Sequence, residues 1–128
     1  MRIPGNAVVI YARSFTGIIK FCEFEQMVLL AVLRAGQAGD AYGTTVFDEL
    51  TRCTKRRVAR GAVYMTLDRL NKKGLLKSWT TEPTAERGGR AKRCYAVTKT
   101  ARAALLESQS ALRRLWNGLD LANQHRTS

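Results

Sequence analysis

Residues 60–74 read RGAVYMTLDRLNKKG and contain the clearest helical pattern of the chain. Its apolar residues Val63, Leu67 and Leu70 recur at helical spacing, which predicts a helix ending near residue 73 with one buried stripe. Gly74 provides the left-handed residue that commonly follows a helix. The opposite face of this helix is polar and basic, so we expect it to be exposed.

Two more helices are predicted before this stretch. From Glu23 to Ala35 apolar residues line two faces, so this helix must be covered both by its own core and by a second subunit. Gly36 and Gly39 predict its end. Asp40 is then the expected N-cap of a helix that runs to about Cys53. Three helices with short connections indicate a helix-turn-helix core.

The pattern changes after residue 74. Two β-compatible runs, Leu75 to Thr81 and Arg93 to Val97, flank a polar stretch with Gly88 and Gly89 at its centre, which is typical of a hairpin with a long tip. Thr98 can then cap a last helix of roughly 20 residues, about 30 Å at 1.5 Å per residue. Such a helix is too long to lie wholly on a small core, so we expect its outer part to contact a second copy of the chain.

Charge is concentrated in the middle of the chain. The 128 residues include 22 Lys and Arg against 10 Asp and Glu, a formal net charge of +12. Residues 52–93 hold thirteen of the basic side chains and only three acidic ones. Such a block predicts an anionic partner, with nucleic acid the first expectation and a membrane surface the second. No apolar run approaches the ~20 residues of a membrane span, and we expect a cytoplasmic protein.

Enzymatic and metal-binding residues are not grouped in any recognisable pattern. Cys22, Cys53 and Cys94 are far apart without a Cys-x-x-Cys pair, and His125 is the single histidine. We therefore expect reduced thiols, no metal, no cofactor, no catalytic residues and no enzymatic activity.

The ordered set of motifs resembles the PadR family of bacterial transcriptional regulators over about residues 21–119. The matching segments are FEQMVLLAVL (24–33), AYG (41–43), RGAVYMTLDRL (60–70), KGLL (73–76), ERGGRAKRCY (86–95) and VT (97–98). The resemblance implies a mainly α fold with a small β-hairpin, a winged helix-turn-helix followed by a long C-terminal dimerisation helix. Ala59 stands where the family commonly has a Ser or Thr N-cap, a loss of roughly 1 kcal/mol.

The domain organisation follows from these elements. We expect an N-terminal tail or packing arm over 1–20, a winged-helix DNA-binding domain over 21–98, the dimerisation helix over 99–121 and a short tail over 122–128.

The expected partner is double-stranded DNA, with the helix from Arg60 in the major groove. Arg60 suits a guanine or a phosphate, and Tyr64 suits a phosphate oxygen, with packing beneath the wing as its alternative role. Arg90 and Lys92 are expected to matter most in the wing. The predicted DNA-binding residues are Thr44, Arg56, Arg57, Arg60, Gly61, Tyr64, Met65, Asp68, Arg87, Arg90, Lys92 and Arg93.

The predicted assembly is a homodimer acting on an inverted-repeat operator, and the resemblance favours repression. Its expected dimerisation residues are Phe24, Leu30, Leu105, Leu112, Leu115, Trp116 and Leu119. Trp116 either anchors the dimer core or lines a pocket for a small aromatic effector, and the sequence does not separate these roles. Two alternatives remain: a basic RNA-binding or ribosome-associated module, and a winged helix that contacts proteins.

Overall fold

A computed structural model describes residues 9–14, 17–81 and 92–122, with side chains from residue 21 onward. Along the chain the elements are β1 (Val9–Ser14), β2 (Gly17–Cys22), α1 (Glu23–Ala38), α2 (Gly43–Thr54), α3 (Arg60–Lys72), β3 (Leu76–Thr80), β4 (Arg93–Val97) and α4 (Lys99–Trp116). This is the predicted order of three helices, a hairpin and a last helix, preceded by a second hairpin.

Helix α1 is one turn longer than the sequence predicts. It begins with a capping box in which the Cys22 N–H donates to Glu25 Oε1 at 3.0 Å and the Glu25 N–H donates to Cys22 Sγ at 3.5 Å. Gly36 lies inside the helix, and only Gly39, with φ of +155°, ends it. The predicted stop at Gly36 is therefore wrong, although the last buried residue of the helix is Ala35 and residues 36–38 are exposed.

The predicted N-cap of α2 is also wrong. The helix begins at Gly43, and Tyr42 rather than Asp40 is the N-cap. Thr45 provides the local hydrogen bond, since its Oγ1 accepts from the Tyr42 N–H at 2.8 Å. The Asp40 carboxylate instead accepts from the Tyr42 hydroxyl at 3.0 Å.

Helix α3 follows the prediction closely. Val63, Leu67 and Leu70 are completely buried, and Gly74 adopts φ of +78° just after the helix. Ala59 is the N-cap and offers no side-chain hydrogen bond, as the sequence implies.

The hairpin of β3 and β4 is antiparallel, with Leu76 opposite Val97. Its inner strand is also bound to the connection between α1 and α2, because the Tyr95 N–H donates to the Ala41 carbonyl oxygen at 2.9 Å. Tyr42 forms an isolated bridge with Cys94 at the same place. The wing is therefore fixed at its base to the start of α2.

Helix α4 begins as predicted, with Thr98 Oγ1 accepting from the Ala101 N–H at 3.3 Å. Its first three turns are packed on the core through Ala101, Ala104, Leu105 and Ser108. Later residues are mostly exposed.

The N-terminal segment forms a hairpin of β1 and β2, and β1 lies against α4 of the same chain. The prediction for residues 1–20 was a tail or packing arm, and residues 1–8, 15 and 16 lie outside the described part.

The architecture is a winged helix-turn-helix with a C-terminal helix. Within the ranges that the structure describes, no helix combines the length and apolar character needed to cross a membrane.

Candidate nucleic-acid interface

The outward face of α3 carries the predicted DNA-contacting residues. Arg60, Gly61, Tyr64 and Met65 are all exposed, and Met65 retains 70% of its accessible surface. Asp68 is half-buried, and its carboxylate lies 3.2 Å from Nζ of Lys72, one helical turn later. The face therefore presents a cation, a phenol and a flexible apolar side chain.

Tyr64 joins this face to the start of α2. Its ring occupies the space that a Cβ at position 43 would need, so only glycine allows the two helices this arrangement. The exposed Thr44 lies next to it in the first helical turn, whose N–H groups have no acceptor within the helix. The site thus combines a phenolic hydroxyl with the positive end of a helix.

The base of the wing closes the other side of this site. Lys92 Nζ lies 4.9 Å from the centre of the Tyr42 ring, within the range of a cation–π contact. Thr81 holds the backbone of Lys92, since the Thr81 N–H donates to the Lys92 carbonyl oxygen at 2.7 Å. Together with Arg93 these groups line a shallow pocket. We call it the α2–wing niche, and its residues are Tyr42, Gly43, Thr44, Tyr64, Lys92, Arg93 and Tyr95.

Two members of the niche are constrained further. Arg93 donates to Ser78 Oγ from both Nε (3.3 Å) and Nη2 (3.1 Å) across the hairpin. Burial raises the pKa of Tyr95, which keeps its phenol neutral. The predicted wing residues Arg87 and Arg90 lie outside the described residues.

The loop before α3 carries two more predicted cations. Arg56 Nη1 lies 3.0 Å from Glu23 Oε1, so part of its charge is neutralised by α1. Arg57 is exposed beside it. The Arg60 guanidinium carbon lies 4.4 Å from the centre of the Phe47 ring.

A buried carboxylate forms ion pairs with two cations of this basic region. Glu25 accepts from Lys73 Nζ at 2.8 Å and from Arg69 Nε at 3.2 Å, and its side chain is only 6% exposed. Burial alone would raise its pKa, but the hydrogen bonds from Lys73, the Cys22 N–H and Arg69, together with the charge of Lys73, lower it overall. This cluster was not predicted from the sequence. The Cys-x-x-Glu spacing at a helix start was the signal that could have revealed Glu25.

The predicted dimerisation residues are divided between two environments. Leu30, Leu112, Leu115, Trp116 and Leu119 are exposed, with Leu115 at 72%. Phe24 is half-buried, and Leu105 belongs to the core of its own chain at 6% exposure. A partner could therefore contact Leu105 only at the bottom of a groove between α1 and α4. The groove is lined by Gln26, Leu30, Leu33, Arg102, Leu105, Leu106, Gln109 and Leu112. Trp116 is not among these lining residues.

Comparison with known proteins agrees with this architecture. A 94-residue match to "Transcriptional regulator Rv3488" of Mycobacterium tuberculosis is 37% identical and covers 73% of this chain and 83% of the relative. Two solved structures share the fold. One is a PadR-like transcription factor from "bacteroid fragilis" (TM-score 0.58, 22% identity, 72% of this chain and 82% of that one). The other is a PadR family regulator from Clostridium difficile R20291 (TM-score 0.56, 18% identity, 73% and 95%).

The family model described as "Transcriptional regulator PadR-like family" matches residues 29–107, from the middle of α1 through the wing into α4. That match includes the whole of α3 and the hairpin, together with the niche between them. The chain belongs to the PadR-like family of transcriptional regulators.

Proposed function

We propose that this regulator is a homodimer that binds double-stranded DNA at an inverted repeat and represses transcription, without catalytic activity of its own. The observation that carries the proposal is the α2–wing niche, where the start of α2, Tyr64 and the base of the wing meet beside the exposed face of α3. Each of these groups suits an anion.

In the proposed complex α3 enters the major groove. Arg60 and Met65 reach base edges, and Gly61 lets the backbone approach closely. The niche receives one phosphate, to which the Tyr64 hydroxyl and the first-turn N–H groups of α2 donate. Arg56 and Arg57 contact the flanking backbone on one side. On the other side, the wing contacts the DNA backbone through Arg87, Arg90, Lys92 and Arg93.

The proposed dimer is supported by the exposed apolar residues of α1 and α4. Large apolar patches on a monomer commonly mark interaction sites. Leu30 and Leu112 line the groove between the two helices, and Leu115 and Trp116 extend the apolar surface along α4. A symmetric partner presents the same surface, so one patch serves both copies. Repression rests on the family resemblance, and an aromatic effector near Trp116 is a secondary candidate.

The deciding experiment is selection of bound sequences from a random duplex pool at about 150 mM salt, where non-specific phosphate attraction is weakened. We expect an inverted repeat with half-sites about 34–36 Å apart, one helical turn. Preference for structured RNA over every duplex would instead support the RNA-binding alternative.

Two single variants then separate the roles of the cations. Arg60→Ala should change base preference. Lys92→Ala should instead weaken binding to all DNA sequences alike, and it should reduce the slope of log affinity against log salt concentration by about 1. If Arg60→Ala and Tyr64→Phe leave DNA affinity unchanged, the winged helix contacts proteins rather than DNA.

A further inference from the structure

We propose that Phe47 of α2 is a positioning residue that sets the sequence preference of the regulator by holding the Arg60 guanidinium in place, without itself contacting DNA. This inference rests on the proposed function, because it assumes that Arg60 reads base edges.

The contact between these two side chains joins the helices of the helix-turn-helix. The guanidinium carbon of Arg60 lies 4.4 Å from the centre of the Phe47 ring, well inside the ~6 Å limit of a cation–π contact. Phe47 is half-buried and packed against the core, so its ring has a fixed orientation. Arg60 is the first residue of α3 and is exposed. A fixed ring therefore supports an otherwise mobile side chain at the leading end of that helix.

Arg60 differs in its surroundings from the three arginines that form ion pairs in the described part of the chain. Arg52, Arg56 and Arg69 each lie within 3.2 Å of a carboxylate oxygen. Among the described residues, no carboxylate lies within 4.0 Å of Arg60. Within those ranges its charge is consequently not neutralised by a neighbouring acid.

A guanidinium that lies over an aromatic ring keeps its hydrogen-bonding capacity. A guanidinium stacks through its flat face, whereas its five N–H donors point outward in the plane. Bidentate recognition of guanine O6 and N7 requires such a planar fork in a defined orientation. The ring of Phe47 thus restricts Arg60 before DNA arrives and lowers the conformational entropy that binding has to remove.

A purely structural role for Phe47 makes a different prediction. A leucine at position 47 would fill much of the same space against the core but would offer no aromatic face. If Phe47 only packs the core, replacing it should affect unfolding and leave base preference unchanged. If it positions Arg60, base preference should change, and only while Arg60 is present.

The test is a double-mutant cycle on the full chain with Phe47→Leu, Arg60→Ala and the double variant. The readout is the ratio of affinities for the selected operator and for the same operator altered at the base pair whose preference Arg60→Ala abolishes. We expect Phe47→Leu to lower this ratio roughly 2- to 5-fold, the range of an exposed cation–π contact. It should have no further effect in the Arg60→Ala background.

Two controls complete the experiment. Phe47→Tyr restores an aromatic face and should recover the wild-type ratio. Val58→Ala loosens packing beside the start of α3 without removing a ring, and should leave the ratio unchanged. An unchanged ratio for Phe47→Leu, or the same drop with and without Arg60, would refute the positioning role alone. A wild-type protein with no base preference on any duplex would refute the proposed function as well.

Discussion

Replacing Glu25 by Gln isolates the contribution of the buried charge between α1 and α3. The carboxylate accepts from Lys73 and Arg69 through one oxygen and from the Cys22 N–H through the other. A glutamine can keep the bond to Cys22 only by turning its NH₂ group toward the two cations, where a donor faces donors. The variant therefore loses either that hydrogen bond or the two hydrogen bonds to the cations, and in both cases it loses the negative charge at a buried position.

The expected loss is about 2–3 kcal/mol at neutral pH. Hydrogen bonds to charged groups contribute roughly 1.5–3 kcal/mol, and breaking a fully buried pair costs about 3–5 kcal/mol. The loss stays below that of a fully buried pair because the Lys73 and Arg69 side chains are 39% and 51% exposed and can regain water. The measurement is urea unfolding monitored by circular dichroism. The dependence of the unfolding free energy on urea concentration should be the same in the variant and the wild type.

The matched control is Asp68→Asn, which removes an ion pair to Lys72 whose two side chains are 50% and 76% exposed. Exposed pairs contribute about 0.2–1 kcal/mol, so this variant should be close to wild type. Should Glu25→Gln lose no more stability than Asp68→Asn, the buried cluster would not stabilise the fold, and the reasoning would be refuted.

The pH dependence provides an independent check. Folding lowers the pKa of Glu25 below its ordinary value of 4.5, because the hydrogen bonds and cations outweigh the effect of burial. Its contribution is fully present above that value and is lost as the pH falls through the lower folded pKa. The stability gap between wild type and Glu25→Gln should therefore be constant near pH 7 and narrow below about pH 4.5. A gap that widens on acidification would contradict the assigned sign.

Two further predictions concern the niche and the dimer. Gly43→Ala places a methyl group where the Tyr64 ring lies, so we expect about 1–3 kcal/mol of destabilisation and weaker binding to every duplex. Gly61→Ala has open space and should stabilise α3 by roughly 0.5–1 kcal/mol, so equal effects at the two glycines would contradict the close contact. Leu115→Glu adds a charge to the exposed apolar surface and should give a monomer in sedimentation analysis, whereas an unchanged dimer would place the interface elsewhere.

The fold was predictable where one face of an element is decisively apolar. The stripe of Val63, Leu67 and Leu70 is buried as expected, because helical periodicity alone specifies which face meets the core. Boundaries that depend on local competition were less predictable. Asp40 has a favourable capping side chain, yet Ala41 and Tyr42 are paired with β4, so the helix begins only at Gly43, where Thr45 provides the hydrogen bond.

The candidate site was predictable by composition but not by geometry. The basic block and the outward residues of α3 were evident, since they follow from charge and periodicity. The contacts that organise them join residues distant in sequence: Glu25 meets Lys73 across 48 positions, and Tyr64 meets Gly43 across two helices. No local pattern specifies such pairs, because they depend on how the helices are packed together.

The backbone hydrogen bond from Tyr95 to Ala41 has a consequence for solubility. Strand β4 is paired on one side with β3 and on the other with the connection before α2, so its backbone is shielded from pairing with another chain. The open edge of this small sheet is left to β3, which is five residues long and carries the exposed Lys77. Short, charged edges resist strand addition, so a protein with many exposed leucines is protected from association through its sheet.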